Sequence, residues 1–373
     1  MSKHYDVIVV GGRCAGAATA MLLARKGMRV LVIEAARPGT DTLSTHALME
    51  GGVIQLRRWG LLDTVSAATP AIVATEFAYG GEVETRNIRL GGDVPALYAP
   101  RRYFLDSVLL HAARSAGAEV WNPARVTGAL IQGGRVCGVQ GVQRGRAFRV
   151  YAPLTIGADG RMSTVAQSVG AEIRKRGNNS GTIIYGYFSG LATDRYHWAF
   201  RPGSAAGVVP TSGGLACVWA GGPSSSVRPS KEAFYRLLGE AAPHVARRIG
   251  SPVGALRGYP GQPSWLRASA GPGWALVGDA GYFNDPITAC GITDAMRDAE
   301  LLSRAAIEAP GSLDALRSYE RTRDRLSEPL FTITDRIAGY RWNLTELRGL
   351  LHTLNAMQPE TDAIETFDVH ASP

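Results

Sequence analysis

Residues 5–10 form a short, β-branched apolar run, residues 14–27 an Ala- and Leu-rich stretch with helical spacing, and residues 29–33 a second apolar run ending at Glu34. This order predicts a β-α-β unit with a glycine turn at its first crossing. Residues 35–45 carry Arg37, Pro38, Gly39, Asp41 and Ser44 and predict a loop. Bulky apolar residues over 46–65 predict one helix, weakened early by Gly51-Gly52. Alternation over 72–90 around Gly80-Gly81 predicts an antiparallel hairpin that interrupts the α/β pattern. The pattern resumes with a helix from Arg102 to about Ala116 and a strand at 118–121. Short strands over 125–151, turning at Gly133-Gly134 and Gly145, lead to 154–156 and Gly157-Ala158-Asp159-Gly160.

From 181 to 223 the pattern turns to β, with candidate strands at 183–188, 196–200, 206–209 and 215–220. Aromatic residues concentrate there. Residues 231–249 read as one amphipathic helix, 274–277 as another apolar strand before Gly278-Asp279-Ala280, and 291–308 as a helix. The tail from 313 to 366 is largely helical in pattern. The expected fold class is α/β: a Rossmann-like nucleotide-binding domain from segments 1–71, 99–180 and 264–330, an inserted, mostly antiparallel β domain for substrate from 72–98 and 181–263, and a C-terminal helical segment at 331–373.

Composition adds limits. With 373 residues, 45% hydrophobic and 19% charged, the chain can bury a large core, and 45 glycines predict many tight turns. The formal charge of +8 is carried by arginines, 36 of the 40 basic residues, which suits anionic ligands. They are scattered rather than clustered in a run, so a solvated surface is expected and nucleic-acid binding is not. Cys14, Cys137, Cys217 and Cys290 lie far apart and predict neither a zinc site nor a dithiol centre. No apolar stretch reaches the ~18 residues that span a bilayer, so no membrane span and a cytoplasmic location are expected.

The chemistry starts at Gly11-Gly12-Arg13-Cys14-Ala15-Gly16. A pyrophosphate fits such a turn because a helix N-terminus offers unpaired N–H groups and partial positive charge, while glycine allows close approach. Glu34, 23 residues beyond Gly11, falls where a carboxylate accepts bonds from a ribose diol. Arg13 stands where the usual fingerprint has its middle glycine. Gly12 supplies part of the missing flexibility, and the guanidinium is itself a phosphate partner. The same order also fits an ordinary α/β enzyme that binds no dinucleotide.

The glycine turn, Arg102-x-x-Leu105-Asp106, Ala158-Asp159-Gly160 with Ser163 and Val165, and Gly278-Asp279 with Pro286 follow one another along the chain. Together they resemble the group A flavoprotein monooxygenases and the related geranylgeranyl reductase-like flavoproteins of the para-hydroxybenzoate hydroxylase fold. The resemblance implies bound FAD and NADPH or NADH as reductant. It places Asp279 on the ribityl chain, Arg102 (or Arg101) on the pyrophosphate, and Pro286 with Gly291 and Ile292 beside the flavin ring. Ala35, Arg37, Thr45 and Val126 complete the expected cofactor contacts. By the same resemblance Asp159 helps hold FAD and, indirectly, the nicotinamide cofactor; the alternative is that it only caps a strand-end turn.

The family sequence Gly-Asp-Ala-Ala-His is here Gly278-Asp279-Ala280-Gly281-Tyr282, and the Trp-x-Trp-x-Ile-Pro signature of tryptophan halogenases is absent. There is no second glycine fingerprint, which leaves the nicotinamide cofactor without a domain of its own. The resemblance implies reduction of FAD, addition of dioxygen at the flavin C4a, and hydroxyl transfer to an aromatic or otherwise electron-rich small molecule. The alternative is reduction of an unsaturated lipid. For that branch Tyr196-His197-Trp198-Ala199-Phe200-Arg201-Pro202 approaches Tyr-x-Trp-x-Phe-Pro but inserts Arg201.

Tyr185, Tyr187, Trp198 and Trp219 are candidates for an aromatic wall or for core packing of the sheet. His46 is a base, a substrate anchor or a helix cap, and Arg201 a carboxylate partner or a surface residue. A monomer or homodimer acting on an aromatic or apolar small molecule is expected.

Overall fold

The computed structural model describes residues 4–37, 39–88, 96–191 and 193–357. Its first sheet runs in the order Ala270–Gly271, Trp274–Leu276, Leu154–Gly157, Val7–Val10, Val30–Ile33 and Glu119–Trp121. All pairs are parallel except the first. Val7–Val10 and Val30–Ile33 are wholly buried, as central parallel strands covered on both faces must be. The helix Cys14–Arg25 packs against both Gly291–Glu308 and Arg102–Ser115. Its small residues Ala17, Ala18 and Ala20 have no exposed surface and let the neighbouring helices come close.

The second large sheet has seven strands, in the order Arg257–Tyr259, Gly181–Phe188, Leu215–Pro223, Ser204–Thr211, Arg195–Arg201, Ala74–Tyr79 and Glu82–Asn87. It is antiparallel except where Arg195–Arg201 runs parallel to Ala74–Tyr79. Alternation sorts its side chains. Ile184, Phe188 and Val218 meet Phe234, Leu237 and Leu238 of the helix Lys231–Ala241. Ile183, Tyr185, Tyr187, Trp198 and Trp219 point to the other face, which joins the main core. Three-stranded sheets formed by Arg125–Gln132, Arg135–Gln143 and Arg146–Tyr151, and by Ile173–Arg176, Trp265–Arg267 and Tyr282–Phe283, complete the β structure of the described residues.

Helix boundaries depart from the sequence pattern at two places. The single helix expected over 46–65 is two, Glu50–Arg58 and Leu62–Ser66. His46 takes φ +71° and Gly60 φ +73°, left-handed values that no continuing helix accommodates. The helix expected over 231–249 stops at Ala241 and restarts as Pro243–Ala246. Pro243 has no N–H to donate and forces Ala242 out of the helical region (φ −136°, ψ 65°). The tail forms Leu313–Ala338 and Leu344–Ala356. Expectations for 358–373, and for the end of the hairpin at 89–90, lie outside the described residues.

Candidate active site

A cavity of about 590 Å³ opens at the carboxyl ends of the parallel strands, where ligands of open α/β sheets collect. Gly11, Arg13, Cys14, Ala15, Glu34, Ala35, Thr45, His46, Arg102, Val126, Asp159, Asp279, Pro286, Gly291 and Ile292 all line it. These come from six separate stretches of the chain.

The glycine turn is held by contacts no other residue permits. A Cβ on Gly11, at φ +102°, would stand 2.3 Å from the Ala158 carbonyl oxygen, and one on Gly16 would stand 2.0 Å from that of Gly11. The Glu34 carboxylate fastens this turn to the second strand, accepting from the N–H of Gly12 (2.6 Å) and of Ala36 (2.6 Å). Gly12, Gly16 and Gly278 shape the backbone behind the cavity rather than its lining.

Arg102, not Arg101, faces the cavity. Its Nε and Nη2 donate to Asp106 Oδ1 (3.2 and 3.0 Å), which also accepts from the Cys14 N–H (3.2 Å). Arg101 turns away to pair with Asp41 and lies over the Tyr187 ring at 3.6 Å. Asp159 both lines the cavity and caps Thr164–Ser168, accepting from the N–H of Thr164 (2.7 Å) and Val165 (3.3 Å). Its Oδ1 is buried without a partner. Asp279 sits in the turn Gly278–Ala280 and accepts no hydrogen bond from the described residues. Burial pushes its carboxyl up, against the pull of Arg161 and Arg102.

The loop after Asp279 is tied to the seven-stranded sheet. Asp285 accepts from Gly181 N–H (2.8 Å) and Ile287 N–H (3.1 Å), so that Pro286 is fixed between the two sheets. The helix Gly291–Glu308 then points its N-terminus at the cavity. Deep in that helix Arg297, fully buried, donates to Asp298 (2.7 Å), Asp294 (3.1 Å) and Ser327 (2.8 Å).

Burial moves the Asp285 carboxyl from its ordinary 3.8 up to about 7, and the charge of Asp335 acts in the same direction. A group protonated in the fold but ionised in the unfolded chain makes stability fall as pH rises between those two values. Wild-type protein should therefore lose stability relative to Asp285→Asn between about pH 4 and pH 7. Paired thermal melts across that range check it; a constant gap would contradict the assignment.

Four of the expected catalytic residues stand differently. His46 is fully buried, its Nε2 hydrogen-bonded to the Tyr187 hydroxyl (2.6 Å) and its Nδ1 unpartnered. Burial pushes its pKa down to about 3 although Asp41 opposes the shift, so the imidazole is neutral and not a base poised near neutrality. Tyr187 lies behind His46 and does not line the cavity. Trp198 is packed within the sheet between Tyr196 and Trp219, at 5.8 and 5.9 Å. Arg201 is exposed at a strand end, where it donates to the Gly80 carbonyl (3.4 Å). Arg37 is exposed as well.

Tyr185, one of the candidates for an aromatic wall, lines the cavity, as do four residues that the sequence did not single out: Arg161, Ile183, Tyr259 and Phe283. The Tyr185 hydroxyl accepts from the Ser44 N–H (3.3 Å) and donates to the Thr42 carbonyl (3.4 Å), pinning the loop at 42–46 as one wall. Arg161 directly follows Asp159-Gly160, the one local signal that could have found it.

The family described as an FAD binding domain matches residues 4–233. The chain belongs to this FAD-binding family. Digeranylgeranylglycerophospholipid reductase 2 of Methanococcoides burtonii is 31% identical over 342 residues, covering 86% of this chain and 80% of that one. In structure the chain is similar to the flavin-dependent brominase Bmp2, at 18% identity, TM-score 0.79 and coverage of 98% of this chain and 99% of the other. It is also similar to Pseudomonas aeruginosa PqsL in complex with 2-aminobenzoylacetate, at 21% identity, TM-score 0.77 and coverage of 94% and 100%.

The protein is thus an FAD-dependent oxidoreductase with the group A flavoprotein fold, as the motifs imply. Among the described residues no helix is long and apolar enough to cross a membrane.

The residues fit FAD. The cavity volume is that of a site for a large cofactor, the Gly11 backbone lines it with Gly16 packed directly behind, and Asp279 presents an uncommitted acceptor. The glycine turn and Arg102 would hold the pyrophosphate, Glu34 the ribose, and Asp279 the ribityl hydroxyls. Pro286 and the N-terminus of Gly291–Glu308 would stand beside the flavin ring, where a positive helix end favours a reduced, anionic flavin.

Proposed function

We propose that the protein is a monooxygenase that hydroxylates or epoxidises a small aromatic or otherwise electron-rich molecule, using NADH or NADPH and dioxygen. The observation that carries this reading is how little of the seven-stranded sheet reaches the cavity. The inner face of the seven-stranded sheet is filled by its own aromatics. Trp198, Trp219, Tyr196 and Phe200 are buried, and Trp342 closes against Phe200 at 6.2 Å. Only Ile183, Tyr185 and Tyr259 of that sheet reach the cavity.

FAD bound here would accept a hydride from the nicotinamide cofactor and activate dioxygen. The chain's own part is enclosure and orientation. Tyr185 locks residues 42–46 into a wall, Phe283 and Tyr259 add apolar surface, and neutral His46 fixes that wall without taking a proton. Such lining keeps water from a reactive centre. In this reading segments 72–98 and 181–263 form the substrate-facing half.

A second reading, reduction of an unsaturated lipid or natural-product intermediate, is favoured by the identity to digeranylgeranylglycerophospholipid reductase 2. The two part on oxygen. Small aromatic and apolar compounds are screened for stimulation of NADH and NADPH oxidation, and the product is then made under isotopically labelled dioxygen. Label in the product is expected. Substrate turnover that continues without oxygen, yielding a saturated product, would replace the first reading with the second.

A further inference from the structure

The turn that follows the strand Leu154–Gly157 is fixed from both sides. Asp159 accepts from the N–H of Thr164 and Val165, and Ser163 Oγ accepts from the N–H of Ala166 (3.0 Å). Arg161 lies over the Tyr259 ring at 4.9 Å and over that of Phe283 at 5.5 Å. Between these anchors Met162 is left outside: it is 74% exposed and yet belongs to the cavity lining. A residue that meets both solvent and cavity stands at the opening. Leu43, 42% exposed and also in the lining, does the same from the wall at 42–46.

Chemistry separates the two. A leucine side chain is inert, whereas a methionine thioether takes an oxygen atom from a peroxide, and its access to solvent sets how readily. The other methionines among the described residues are shielded. Met21 and Met296 have no exposed surface, and Met28, Met49 and Met357 pack against the main core.

A source of peroxide lies in the same cavity. Reduced FAD carries two electrons and two protons; where no substrate takes an oxygen atom, dioxygen accepts both pairs and leaves as hydrogen peroxide. Its way out passes the opening at which Met162 stands. We propose that Met162 is a self-oxidation site, its thioether converted to the sulfoxide by hydrogen peroxide formed when reduced FAD meets dioxygen without substrate. The sulfur lone pair forms the new S–O bond, the peroxide O–O bond breaks, and the second oxygen leaves as water. An apolar group at the opening is thereby replaced by a polar hydrogen-bond acceptor. This rests on the reading that the reduced flavin reacts with dioxygen.

The test has two arms on flavin-loaded protein, both read by peptide mass spectrometry. In the first, resting protein is treated with hydrogen peroxide, and Met162 should gain one oxygen about tenfold faster than Met28, Met49 or Met357. Equal rates would overturn the site. In the second, the flavin is photoreduced without oxygen and returned to air over repeated cycles while oxygen uptake is followed. Met162 sulfoxide should accumulate, be suppressed by catalase and be reversed by methionine sulfoxide reductases. Sulfoxide that forms equally with catalase present would overturn released peroxide as the oxidant. Oxygen uptake without sulfoxide would overturn this inference and leave the monooxygenase reading standing. A reduced flavin that takes up no oxygen would instead overturn that reading, and this one with it.

Discussion

Gly16→Ala is expected to give colourless, destabilised protein. The added methyl would stand 2.0 Å from the Gly11 carbonyl oxygen, 2.9 Å from its carbon and 3.0 Å from the Ala158 side chain. Two of these neighbours are backbone and cannot rotate away. Helix Cys14–Arg25 cannot retreat either, because Ala17, Ala18, Ala20 and Met21 are fully buried between two other helices. The turn at Gly11 must move instead, and that turn is the proposed phosphate seat. Overpacking of this kind costs about 3 kcal/mol.

Asp279→Ala makes the contrast. That carboxylate accepts no hydrogen bond from the described residues, and its burial already works against the charged form. Its loss should leave stability unchanged or raised while weakening FAD about tenfold to a hundredfold. Flavin per chain from absorbance, with melting curves on the same samples, separates the two effects. Wild-type flavin content in Gly16→Ala would refute the cradle, and wild-type FAD affinity in Asp279→Ala would refute the ribityl contact.

What could be read from the sequence was local. A strand, a glycine turn, a helix, a second strand and Glu34 lie within thirty residues, and each step constrains the next. Asp279 was legible because a strand-end acid before a turn has few structural uses. The Arg101/Arg102 choice was not legible, since both open the same helix. Only the third dimension shows Asp41 capturing Arg101 and Asp106 capturing Arg102. Of the three readings of His46, the base is disfavoured for a related reason: the residue type suggests titration near neutrality, whereas burial lowers its pKa. Arg201 and Trp198 stood out by motif, but alternation along one strand placed Trp198 inside the core and its end left Arg201 in solvent. Arg161 escaped notice because its significance lies in rings at 259 and 283, about a hundred residues away. Pairings across such distances leave no periodic trace in a single chain.

Arg101→Met should be the costliest change outside the cofactor cradle, at about 3 kcal/mol, because it breaks a buried ion pair and leaves one partner behind. Asp41 is only 7% exposed in its side chain and Arg101 16%. Burial alone would raise the Asp41 carboxyl. The hydrogen bonds and charge of Arg101 outweigh that and hold it below the ordinary range. Once the guanidinium is gone, Asp41 keeps the Tyr103 N–H (3.3 Å), the Tyr187 hydroxyl (3.3 Å) and, at 4.0 Å, Arg257. The burial penalty then prevails and its folded pKa rises above that of the unfolded chain. The sign follows. Wild type holds its Asp41 contribution above the ordinary carboxyl range and loses it on acidification, whereas the variant is relieved as its buried carboxylate takes up a proton. The stability gap should therefore be widest near neutrality and narrow toward about pH 4. Asp41→Asn should rescue Arg101→Met in part, since it removes the stranded charge. Because Asp41 also bonds Tyr187, which holds His46, loosening this clasp should raise KM for substrate by releasing the wall at 42–46. Urea unfolding of wild type, both single variants and the double variant at two pH values supplies the cycle. A gap that is independent of pH, or a double variant no more stable than Arg101→Met, would show that the ion pair is not what holds this wall.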